Sequence, residues 1–261
     1  MDGLPYILLS VAVSGLFISF ITLLSERLGT RLGGMVSNLP STLLVSLLFV
    51  GITQGAAFAS EATHSVPLGM TLSTLFLLTF LTLLPRGLWV AITGGLAAWG
   101  FLAWLSSHLS GGTTLMFTLI YFSVAIGSWF LAEKVLKISS SGSRVRHYTW
   151  TQILMRAMFA GSVVGFSVSI AQYGSAFWTG IFSTFPAVML SSMVILTLTA
   201  GPAFARGLGK IMLLASTNIV VYGFLAGWLF PVAGIWLGTL IAFVVSAFWV
   251  FMLKPLFDRS S

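Results

Sequence analysis

Gly34-Met35-Val36-Ser37-Asn38-Leu39-Pro40 and Gly180-Ile181-Phe182-Ser183-Thr184-Phe185-Pro186 are two copies of one pattern, set 146 residues apart. They lie inside a longer self-match in which residues 7–59 fall on residues 153–205 without a gap. Of the 53 aligned positions 14 are identical, where average residue usage in so apolar a chain predicts about four. The identities include residues that shape a backbone: Gly15 with Gly161, Gly34 with Gly180, Pro40 with Pro186, Gly55 with Gly201. Ser37 falls on Ser183 and Ser46 on Ser192. A repeat of this length constrains the architecture before any single element is assigned.

Each copy has the chemistry of a helix boundary. Asn38 and Thr184 read as N-caps, with Pro40 and Pro186 in the first helical turn, where a missing N–H costs nothing. Proline pushes the residue before it out of the α region. Residues 34–39 and 180–185 are therefore expected to be extended or broken. Inside a membrane such backbone is tolerated only where it is buried in protein or lines a wet cavity. The helix start beyond it presents a partial positive charge. Ser37, Asn38 and Ser41 from one copy, Ser183 and Thr184 from the other, and Asn218 further along form the expected polar lining of a solute site. Pro40 and Pro186 mark its broken helices. The competing reading is a pair of ordinary helix starts at opposite membrane surfaces, with glycine allowing close packing.

The rest of the chain supplies the solvent for this pattern. It is 57% hydrophobic and 7% charged, against roughly 25% charged residues in soluble domains. The bilayer must therefore solvate it. Nine apolar segments of crossing length run near 4–24, 33–54, 66–84, 88–106, 113–133, 151–171, 179–200, 209–229 and 232–253. All 12 Lys and Arg fall on one side of that arrangement, which by the positive-inside rule is cytoplasmic. The expected fold is thus all-α and polytopic, with nine transmembrane helices, N-terminus out and C-terminus in.

The two copies begin five crossings apart, so they insert upside-down relative to one another. The chain parses as a first repeat (1–110), a connecting helix and linker (111–149) and a second, inverted repeat (150–261). Inverted repeats of this kind recur in secondary transporters, where two halves exchange conformations around a central site. Channels and scaffolds also use them, and both remain open.

Several function classes fall away. The net charge of +7 sits in short loops rather than on one face, which argues against nucleic acid. The absence of cysteine removes disulfides and thiolate chemistry. Asp2, Glu26, Glu61, Glu133 and Asp258 all lie at segment ends or in loops, away from the helix centres where coupling carboxylates mark ion pathways. His64, His108 and His147 are dispersed in loops, so no metal site is expected. No catalytic triad, paired carboxylate or nucleotide-binding pattern is present. The expectation is a non-enzymatic permease without cofactor, whose partners are the lipid bilayer and a small neutral, amphipathic, anionic or lipid-like solute. Monomer and homodimer stay equally open.

The run Leu-Gly-Gly-Met-Val-Ser-Asn-Leu-Pro-Ser-Thr-Leu-Leu from Leu32 to Leu44 resembles the core of the GlpM family of small bacterial inner-membrane proteins. Residues 180–205 resemble the same core. The resemblance implies a fused tandem version in a bacterial inner membrane and carries no substrate with it. The Phe-Ser-Thr-Phe string at residues 182–185 is similar to one in dual-topology fluoride channels, whose fused forms share the four-one-four arrangement.

Overall fold

The structure, a computed structural model, describes residues 3–27, 36, 39–109, 111–139 and 148–253. Among these residues there are helices and turns and no strand. In chain order the helices are α1 (Gly3–Arg27), α2 (Ser41–Gln54), α3 (Ala56–Thr63), α4 (Val66–Leu83), α5 (Leu88–Ser106) and α6 (Thr114–Phe130). There follow α7 (Trp150–Gln172), α8 (Ala176–Ser183), α9 (Ala187–Ala200), α10 (Pro202–Ala215) and α11 (Thr217–Met252). A π-helical turn, Leu131–Val135, extends α6. Three of the starts are capped as their sequences dictate. Thr113 and Ser175 accept bonds from Met116 N and Trp178 N, and Thr149 forms a full capping box with Gln152.

The burial pattern is that of a membrane protein. Ser46, Ser73, Ser167 and Ser246 are fully buried, while Leu16, Trp89 and Phe248 are each more than 60% exposed. Small polar groups pack helix against helix, and large apolar ones face outward, as lipid solvation requires. Among the described residues seven helical stretches are long and apolar enough to cross a membrane, and Ser41–Gln54 is a shorter apolar helix. The longest stretch, Pro202–Met252, is not straight. Trp249 Nε1 donates to Thr217 Oγ1 at 3.1 Å, yet 32 residues of continuous helix would separate them by ~48 Å. The chain folds back at Gly234, whose φ of 76° and ψ of 170° suit only glycine. α4 and α5 fold back likewise around Leu84–Arg86 and Gly87. Pro85 in that turn and Pro231 beside Gly234 again differ by 146, so the repeat continues beyond the aligned 53 positions.

Backbone angles repeat with the sequence. Pro40 has φ −74° and ψ 48°, and Pro186 has φ −76° and ψ 42°. Gly55 and Gly201 sit at φ 91° and 90°, both with ψ 162°. Each of these glycines ends one helix and starts the next. α1 and α7, the first helices of the two copies, pack closely and reciprocally. A Cβ on Gly15 would touch the Ala157 carbonyl, and one on Gly161 would touch the Val11 carbonyl. Val11 and Ala157 are themselves 146 apart. Equivalent residues thus exchange places across the contact, the pattern of a two-fold interface.

Two basic residues at the starts of the expected segments 151–171 and 209–229 are buried. Lys210 is 2% exposed within α10, and Arg156 is 4% exposed within α7. The apolar segments were bounded by charge, but these side chains turn inward to partners. Arg156 Nη1 donates to Tyr148 Oη and its guanidinium lies over the Tyr148 ring.

Candidate functional site: a cavity between two broken helices

The second copy shows how the break is made. α8 runs through Gly180 to Ser183, three residues interrupt it, and α9 starts at Ala187. The expected break over 180–185 is therefore shorter than its sequence suggested. Thr184 is also not an N-cap. It is the C-cap residue of α8, and its hydroxyl donates back to the Ile181 carbonyl at 2.8 Å. Pro186 occupies the N-cap position of α9, and Pro40 that of α2, neither with a side-chain cap bond. Proline at N-cap leaves the preceding hydroxyl free to finish the helix before it, which is what Thr184 does.

In the first copy residues 34, 35, 37 and 38 of the expected break lie outside the described residues, but the helix starts at Pro40 and Pro186 share their hydrogen bonds as well as their angles. Ser41 N donates to Leu39 O and Ala187 N to Phe185 O, both at 2.7 Å. Leu44 N donates to Pro40 O and Leu190 N to Pro186 O, both at 2.8 Å, as the first i→i−4 bonds of their helices. The N–H groups of Thr42, Leu43, Val188 and Met189 precede those bonds, so the helical ladder does not use them.

All of these residues meet at one place. A cavity of about 50 Å³ is lined by Leu39, Pro40, Ser41, Thr42 and Leu43 from one break and by residues 183–186, Val188 and Met189 from the other. Met70, Met212 and Ile219 complete the wall. Of the expected site residues, Pro40, Ser41, Ser183, Thr184 and Pro186 are brought together here. Ser37 and Asn38 lie outside the described residues. Asn218 is fully buried in α11, but it is the neighbouring Ile219 that reaches the cavity wall.

Cross-copy bonds hold the breaks in register. The Ser46 and Ser183 hydroxyls lie 2.6 Å apart, and Ser183 Oγ donates to Thr179 O. Ser46 is therefore the donor to Ser183. Ser73 of α4 donates to the Thr184 carbonyl at 2.7 Å, satisfying an acceptor that the broken helix exposes. Ser65 donates to Phe177 O at 2.7 Å. Glycine lets α3, α4 and α8 come this close: a Cβ on Gly180 would collide with the Ala62 carbonyl, and one on Gly69 with Thr184 Oγ1.

Aromatic rings back the second break. Trp99 of α5 is 5% exposed, with its ring 4.8 Å from Phe185 and 5.4 Å from Phe182. Sequence reading did not single out Trp99. Its signal was position, since it lies in the middle of an apolar segment rather than at an end. The methionines of the wall were likewise missed, as nothing in sequence separates a cavity-lining Met from a core one.

Chemically the described residues of the wall offer hydroxyls, thioethers and helix-start N–H groups, with no ionisable side chain among them. Among the described residues no three His, Asp or Glu side chains cluster so as to hold a metal ion. No protein-family model matches the chain, and neither curated proteins nor solved structures provide a significant match.

Proposed function

We propose that this chain is a multi-pass membrane permease in which two inverted halves carry a small polar solute through the cavity between their broken helices. One observation carries the reading: two proline-led helix starts 146 residues apart, at Pro40 and Pro186, have the same backbone angles and line the same cavity. Duplicated broken helices with their starts at one central point are a recurrent way of building a transport site. In this reading the halves are residues 1–110 and 150–261, α6 connects them, and there are nine crossings with the N-terminus outside. The fold-backs at Gly87 and Gly234 support that count, because they divide the long apolar stretches into antiparallel pairs. Reciprocal packing of α1 on α7 supports the two-fold relation of the halves. The GlpM-like core from Leu32 to Leu44 favours a bacterial inner membrane in this reading.

The lining favours a neutral or anionic solute. Helix starts carry partial positive charge, and among the described lining residues there is no carboxylate to hold a cation. We read no catalytic role, since among the described residues the wall offers hydroxyls but no His, Lys, Asp or Glu to act as their base.

A narrow channel is the second reading, and the cavity size favours it. About 50 Å³ accommodates a few waters at ~10–15 Å³ each, well below the ~300 Å³ at which small-molecule pockets begin. Light scattering from proteoliposomes challenged with urea, glycerol, formate or chloride tests both readings. A carrier gives saturable flux of at least one probe, and a channel gives flux linear in concentration. Flux no faster than empty liposomes for all four would reject permeation of small solutes and leave a scaffold. Ser41→Ala with Thr184→Ala is expected to lower the flux roughly thirtyfold, at about 1 kcal/mol for each lost hydroxyl. Unchanged flux would remove these hydroxyls from the pathway.

A further inference from the structure

Lys210, like Arg156, is a buried cation, and among the described residues it makes an ion pair between α10 and the end of α6. Its ammonium donates to Glu133 Oε2 at 2.7 Å and to the Ile138 carbonyl at 2.9 Å. Both acceptors belong to the far end of the connecting helix α6, Glu133 within its π-helical turn and Ile138 just after it. Lys137, between them in sequence, adopts φ 46°, which is uncommon for a residue other than glycine. A π-helical turn followed by a left-handed residue is a local departure that tertiary contacts must hold in place. The Lys210 contacts are of that kind. Arg206, one turn before Lys210, donates from Nε to Leu81 O at the end of α4. α10 is thus fastened to two neighbours at a single end.

That end lies directly beneath the cavity. α9 and α10 form a hairpin at Gly201, and Gly209 sits against Met193 Sδ and Leu81. Met189 and Met212, the next positions of α9 and α10 toward the hairpin's open end, line the cavity. Their distance from the Met193–Gly209 contact is about 5–6 Å along the axes, one helical turn. Movement of α10 away from α6 would therefore uncover the cavity on the side of Lys210.

The opposite end of α6 is held by the equivalent position of the other copy. His64 is Lys210 minus 146, and its Nδ1 lies 2.9 Å from Thr114 Oγ1 in the first turn of α6. The same register position ties the connecting helix to each half, once at either end. The ties differ in strength: the outer is a single exposed bond, and the inner is charge-assisted with a second acceptor.

We propose that Lys210, with Glu133 and the Ile138 carbonyl, is the cytoplasmic clasp of the pathway, holding α10 against α6 and closing the cavity on the inner side. This rests on the permeation reading above. The clasp makes the inward-closed state the resting one, and opening inward requires α10 to release Glu133.

The chain contains no cysteine, so Met189→Cys gives a single thiol in the cavity wall. Its reaction with a membrane-impermeant maleimide is followed in inside-out and right-side-out vesicles. Lys210→Met with Glu133→Leu removes both charges together, a replacement that buried ion pairs often tolerate. Labelling from the cytoplasmic side is expected to rise about tenfold, as a minor open state becomes populated. Thr114→Val, which cuts the outer tie, leaves that rate unchanged. An unchanged rate in the folded double variant, or an equal rise in Thr114→Val, would overturn the clasp. Should the double variant not fold, Glu133→Gln takes its place and must raise the rate in the same direction; no rise overturns the proposal. The labelling needs no transported solute. Clasp-dependent labelling without flux would reject the permeation reading alone, and flux without clasp dependence would reject the clasp alone.

Discussion

Ser183 illustrates how a single residue serves both copies at once. Its hydroxyl donates within α8 to Thr179 O and accepts from Ser46 of α2. In a membrane interior such a bond contributes about 0.6 kcal/mol on average. A double-mutant cycle of Ser46→Ala and Ser183→Ala, read by thermal unfolding in detergent, should give a coupling of that size, and zero coupling would show the contact to be incidental. Gly180 should be far less tolerant. Gly180→Ala brings a methyl onto the Ala62 carbonyl and Ser65 Oγ, and backbone cannot yield as a side-chain tip can. Overpacking of this sort costs typically 1–3 kcal/mol, so the variant should unfold at clearly lower temperature than Gly127→Ala, where a Cβ meets open space. Equal melting temperatures would contradict the close approach of α8 to α3.

At the level of elements, proline and glycine were the legible part and hydroxyls were not. Pro40 and Pro186 announced their breaks because proline restricts both itself and its predecessor. The side of the break on which Thr184 acts was illegible, since a hydroxyl can cap a following helix or bond back to the preceding one. The outcome depends on the turn geometry, which Pro186 takes by occupying the N-cap position. The burial of Lys210 was illegible for a related reason: the sequence shows a charge near a segment end and cannot show Glu133 on a distant helix. The glycine joints give the sharpest element-scale test. Gly55 and Gly201 have φ near 90° and ψ 162°, a region that costs other residues on the order of 1–3 kcal/mol. Gly55→Ala and Gly201→Ala should therefore destabilise by similar amounts, and both side chains would project into open space. A large difference in their unfolding temperatures would mean that the two joints are not equivalent.

For the whole molecule, the decisive relation is between the repeat and the membrane. The reciprocal contacts of Gly15 with Ala157 and Gly161 with Val11 are what two equivalent helices make across a two-fold axis. Such an axis can lie along the membrane normal or in its plane. Packing alone is blind to the choice, because neither case changes a distance. Charge bears on it: in the proposed nine-crossing topology the basic residues fall on one side and the copies begin an odd number of crossings apart, an arrangement that lays the axis in the plane. An in-plane axis has a functional consequence that the other lacks, since it makes the outer and inner faces of the cavity equivalent by construction and leaves side-chain differences such as His64 against Lys210 to bias them. The orientation is directly testable at two exposed positions of the described chain. Glu61→Cys in α3 and Ser139→Cys after the π-helical turn should react with an impermeant maleimide from opposite sides of the membrane, Glu61→Cys from outside and Ser139→Cys from the cytoplasm. Labelling of both from one side would put the axis along the normal. The two breaks would then open to the same compartment, and alternation between the halves would lose its physical basis.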